Sequence, residues 1–130
     1  MPGLKPITQC TAAEWKDIVQ HTRAVCPPPK GWKYRFIWSA ALRKTDAAAT
    51  CHVDAEKKVI TVKVAKGYCE AYTRELMVHE MAHALAWQHS PHVFASDHDE
   101  TWAQAVQHLR TALVAAKYAK IYDAMHTDRA

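Results

Sequence analysis

From Thr11 to Val25 the apolar residues Trp15, Ile18, Val19 and Val25 recur three to four positions apart, the spacing of one helix face. Thr11 followed by Glu14 three residues on is a capping-box pattern, and Pro27 to Pro29 stop the run. The pattern predicts a helix of about four turns. Lys33 to Ala40, "KYRFIWSA", is aromatic and β-branched and predicts a strand. A second short strand is expected around Thr50 to Val53. Ile60, Val62 and Val64 then alternate against Thr61 and Lys63, which predicts a half-buried strand over Lys58 to Lys66. It should run antiparallel to the strand before it, with Asp54 to Lys57 as the turn.

After Gly67 the period changes to that of a helix, from about Glu70 to His89. Leu76, Met77, Val78, Met81, Ala82, Ala84 and Leu85 leave little of its circumference polar, and a helix apolar all round is usually buried. Ser90-Pro91 ends it, because the residue before proline is pushed out of helical geometry. A loop follows. Asp97 is expected to cap a last helix whose buried face carries Trp102, Val106, Leu109 and Leu113, reaching to about Ala124. These elements predict an α+β fold: a small antiparallel sheet packed against the central helix, with flanking N- and C-terminal helices, all in one domain over residues 1–130.

Composition narrows this only slightly. A chain of 130 residues suits one hydrophobic core, and 49% apolar with 23% charged residues excludes a disordered or collagen-like chain. The apolar stretches are interrupted by charge and do not span a membrane, and "MPGLKPITQCTAAEW" has no apolar signal core. The expected location is therefore intracellular, cytoplasmic or nucleoid-associated, and the expected state a monomer. Four scattered cysteines without C-x-x-C spacing read as reduced thiols and cannot build a zinc ribbon. A net charge of +4 is compatible with DNA as a partner but does not establish it. Between Lys30 and Lys44, basic residues alternate with Trp32, Tyr34, Phe36 and Trp38. Such alternation suits single-stranded nucleic acid, and equally a strand with one packed and one solvated face.

The polar exception in the central helix is His79-Glu80-Met81-Ala82-His83, an H-E-x-x-H sequence. Residues four apart lie about 6 Å along a helix and nearly on one face, so both imidazoles can reach one metal ion. Glu80 projects beside that ion without filling its coordination shell, where it can take a proton from a water polarised by the metal. An unpaired His-Glu-His cluster in a buried helix is costly, and Zn2+ would remove the cost.

A catalytic zinc takes three protein ligands and keeps one position open. His89 has the spacing of a longer H-E-x-x-H motif, but Ala86 stands where that motif needs a glycine to turn the chain back. His92 sits in the loop, and Glu100 lies two residues from the buried stripe. His98 is better placed, four residues before Trp102 and eight before Val106 on the inward stripe of the last helix. The expected metal ligands are His79, His83 and His98, with Glu80 as the catalytic base.

From Glu75 to Trp102 the chain resembles the SprT-like zinc metallopeptidases, which include the Spartan-type DNA–protein crosslink proteases. "HEMAHAL" is followed by "HDETW", similar to the family's third histidine in H-G-x-x-F/W, with Asp99 at the glycine position. The resemblance implies a zincin-like α+β fold and a bare protease core without the zinc ribbon, cleaving proteins, with DNA-associated proteins as candidate substrates. Strand Lys58 to Lys66 is expected to offer an edge for an extended substrate. No residue stands out as the oxyanion stabiliser; Tyr34, Tyr68 and Tyr72 are the candidates. Two other readings stay open: a non-catalytic zinc module binding nucleic acid, with a fourth ligand such as His89 or Asp99, and an immunity-type, repressor-cleaving H-E-x-x-H protease using Glu100.

Overall fold

The computed structural model describes residues 8–89 and 98–127. Its first helix, α1 (Ala12–Val25), begins at the expected capping box. The Thr11 hydroxyl accepts from Glu14 N–H at 3.1 Å while the Glu14 carboxylate accepts from Thr11 N–H at 2.9 Å. Strands β1 (Lys33–Ser39), β2 (Ala49–Asp54) and β3 (Val59–Ala65) follow, then α2 (Glu70–His89) and α3 (Glu100–Thr127). A single 3-10 turn at Ala41–Lys44 between β1 and β2 was not visible in the periodicity.

The sheet is mixed rather than wholly antiparallel. The pairing of β2 with β3 is antiparallel as expected, but β1 runs parallel to β3, giving the order β1-β3-β2. After β1 the chain carries β2 one strand position further out, and the hairpin then returns β3 into the gap. Two reversals leave β1 and β3 pointing the same way. Asp54 holds the hairpin, its carboxylate accepting from Glu56 and Lys57 N–H at 3.1 and 3.0 Å. β3 is consequently internal and offers no edge, contrary to the sequence expectation, and the free edges among the described residues belong to β1 and β2.

The register puts Tyr34, Phe36 and Trp38 of β1 beside Ile60, Val62 and Val64 of β3, and these beside Val53, Cys51 and Ala49 of β2. This face packs on the helices. Ile60, Val62 and Val64 are fully buried with Met77, Val78, Met81 and Ala84 of α2, Ile18 of α1, and Leu109 and Leu113 of α3. Burying such side chains contributes about 1.5–3 kcal/mol each, so this layer dominates the stability. The aromatic face of β1 is already occupied: Trp15 stacks on Trp38 at 5.6 Å, and the Arg23 guanidinium lies over Phe36 at 4.9 Å. The basic and aromatic alternation thus resolves into a packed face and a solvated face, with Lys33, Arg35 and Lys63 exposed.

Gly67 opens the turn into α2 with φ +103°, and a side chain there would collide with the Arg43 guanidinium. That guanidinium instead lies over the Tyr68 ring at 4.7 Å. No helix among the described residues is long and apolar enough to cross a membrane.

Candidate metal centre

α2 is apolar around most of its surface, and its middle turns lie between the sheet and α3. His79 and His83, one turn apart, share the face that looks toward the start of α3. The His98 ring meets them there: the ligating nitrogens of the three imidazoles all lie within 4.8 Å of one another. The Nε2 atoms of His83 and His98 are 3.1 Å apart. Three histidines are therefore close enough to hold one metal ion, and His83 is only 6% exposed. Burial, and then the neighbouring His98, hold the His79 imidazole below its ordinary pKa. That favours the neutral ring that metal ligation requires.

His98 does not sit on the first turn of α3, as the sequence suggested, but one position before its cap. Asp97 lies outside the described residues. The cap is Asp99, whose carboxylate accepts from Trp102 N–H at 2.9 Å while its carbonyl accepts from Ala103 N–H at 3.0 Å. The residue at the family's glycine position thus anchors the helix immediately after the third histidine.

Glu80 follows His79 on α2. It is 7% exposed, and burial pushes its carboxyl up to about 7. The Cys51 thiol on β2 lies close enough to feel the Glu80 charge, which adds to burial in raising that thiol to about 12. A carboxyl titrating near neutrality beside a cluster of imidazoles is suited to accept and return a proton at physiological pH.

Among the described residues, no other candidate ligand joins this cluster. Glu100 is exposed on the first turn of α3 and is not among the gathered donors. His89 ends α2, beyond the residues whose side chains are described, and His92 lies outside the described residues. Tyr34 is buried against Cys26, its hydroxyl 3.5 Å from Sγ, and Tyr68 and Tyr72 meet edge to face at 4.8 Å.

Trp102 has a role at the site that periodicity alone did not suggest. Its ring lies 5.1, 5.8 and 4.4 Å from those of His79, His83 and His98, and its indole N–H points to the His79 carbonyl at 3.4 Å. One aromatic surface so fixes all three imidazoles. The available signal was its position four residues after His98, which marks it as a neighbour on the helix but not as a wall of the site.

A family model described as the SprT-like family matches residues 9–123. No curated protein and no solved structure matches the chain.

Proposed function

The chain belongs to the SprT-like family, and on that premise we propose that it is a zinc-dependent endopeptidase acting on DNA-associated proteins. The observation that carries this reading is the convergence of His79, His83 and His98, which would hold the ion. Two nitrogens on a tetrahedral zinc, each at about 2.0–2.1 Å, stand about 3.3 Å apart. The 3.1 Å between the Nε2 atoms of His83 and His98 suits that requirement. The three nitrogen donors gathered among the described residues match the set of a catalytic zinc, whereas structural sites take four. When bound, zinc supplies a Lewis acid that polarises the scissile carbonyl and acidifies a water.

The remaining chemistry belongs to the chain. Glu80 takes a proton from the attacking water and delivers it to the leaving amine, a task for which its near-neutral carboxyl is suited. β2 is the strand beside Glu80, through Cys51, and carries a free edge on which an extended substrate can lie by strand addition. DNA would meet the solvated face of the sheet, where Lys33, Arg35, Lys63 and His52 are exposed. Its binding there should weaken steeply with salt.

The test is proteolysis of a DNA-binding protein by the zinc-loaded chain, with and without single-stranded DNA, beside Glu80→Gln. The native chain should cleave, and the variant should keep one zinc while losing about 10²- to 10⁴-fold in rate. Equal cleavage by both proteins would remove Glu80 from the mechanism. Cleavage indifferent to DNA would remove the DNA-associated substrate and leave the peptidase.

A further inference from the structure

Between α2 and α3, a groove of about 220 Å3 begins at the histidine cluster. His79 and Trp102, which belong to that cluster, form one end of it. Leu76, Val78 and Val106 contribute apolar surface, and Tyr72, 46% exposed, lines its open side. Glu75 and Arg110 complete the lining. Their bond is two-pronged: Arg110 Nε donates to Glu75 Oε1 at 2.9 Å and Nη2 to Oε2 at 2.8 Å.

This lining has a chemical preference. The two charges in it satisfy each other, so a charged side chain entering the groove would find no unpaired opposite charge. A small side chain would leave the apolar walls wet. A large apolar one would displace that water and fill the space. Because the groove starts at His79, a chain lying across the histidine cluster can place a side chain in it.

We propose that this groove is a specificity subsite that takes a large apolar side chain (Leu, Met or Phe) of the protein substrate, next to the bond that is cut. The assignment rests on the peptidase reading above, but the groove can be tested without turnover. In the first measurement a randomised peptide mixture is digested by the zinc-loaded chain and the cut sites are sequenced. In the second, peptides retained by zinc-loaded Glu80→Gln are sequenced directly.

Leu, Met and Phe should be enriched about tenfold over Gly and Asp at one position within about two residues of the cut, and likewise among the retained peptides. Val106→Trp fills the groove and should reduce that enrichment at least about fivefold. Arg110→Ala changes an exposed side chain and leaves Glu75 unpaired, which should bring Lys and Arg into the preferred set at the same position. Zinc content and circular dichroism report whether each variant is folded. Enrichment among retained peptides without any cleavage would uphold the subsite and sink the peptidase reading. Cleavage or retention with no preference there, or a preference unmoved in both Val106→Trp and Arg110→Ala, would overturn the subsite.

Discussion

The first turns of α2 and its middle turns both carry polar side chains into packed surroundings, and they resolve them in opposite ways. At the start, each charge has a counter-charge. Glu70 binds Arg74 at 2.7 Å and Lys117 at 2.8 Å, and Glu75 binds Arg110. Across the same junction Asp17 of α1 binds Lys120 of α3 at 2.6 Å, which draws the Asp17 carboxyl below its ordinary range. A cavity of about 280 Å3 lies among these groups, and Glu70, Arg74, Lys117, Asp17 and Lys120 of its lining are ion-paired. Two turns later the environment acts by burial instead, raising the pKa of the Glu80 carboxyl and lowering that of the His79 imidazole. The opening turns form a closed set of ion pairs that ties three helices together. The middle turns bring two imidazoles to a third, close enough to hold a cation, and buried groups with shifted titration mark a candidate site where paired charges mark a structural network.

This contrast can be broken at several points. The largest effect is expected at the third histidine: His98→Ala should weaken zinc binding by at least about a hundredfold in competition with a chelator, because the site loses one of three ligands. A smaller loss would mean that His98 is not a ligand. In the ion-pair set, Glu70→Ala should leave zinc affinity unchanged but cost about 2–3 kcal/mol in urea unfolding, since the Arg74 guanidinium is only 8% exposed and would lose its partner. Unchanged stability would make that junction dispensable.

The Glu80 carboxyl gives the comparison a pH dependence. Its folded pKa of about 7 stands above the ordinary 4.5, so the folded state disfavours the ionised form. The cost is absent below pH 4.5, grows between 4.5 and about 7, and is complete above that. In metal-free protein, Glu80→Gln should therefore raise stability by about 3 kcal/mol at pH 8 and leave it unchanged below about pH 4, read from melting curves. A benefit independent of pH would mean that the carboxylate is not penalised where it sits. The smallest effect is expected from Trp102→Leu, which removes the surface shared by the three imidazoles and should weaken zinc about tenfold without abolishing it.

Much of this contrast was present in the order of residues. The all-round apolar character of Glu70 to His89, interrupted by H-E-x-x-H, identified both a buried helix and the anomaly within it. The Thr11 and Glu14 capping box, the Ile60-Val62-Val64 alternation and the Leu109-Leu113 stripe were equally local, because helix and strand periods are set by neighbouring residues. His98 was reachable through its distance from Trp102, although its exact position relative to the helix start was not.

What only the tertiary structure decided was which distant groups meet. The parallel pairing of β1 with β3 depends on where the hairpin folds back, and periodicity carries no record of strand order; this put β3 inside the sheet and left the free edges, among the described residues, to β1 and β2. Glu70 has one partner at helical spacing, Arg74, but Lys117 and Arg110, which bind Glu70 and Glu75 from α3, lie 47 and 35 residues away, where no spacing rule reaches. The single Trp102 ring against three imidazoles, and the nearness of Glu80 to Cys51, likewise arise from the packing of α3 and β2 on α2. Sequence by itself determined the elements and the chemistry they carry; packing determined which polar groups are neutralised and which are left to bind something else, because neutralisation depends on distance in space and not on distance along the chain.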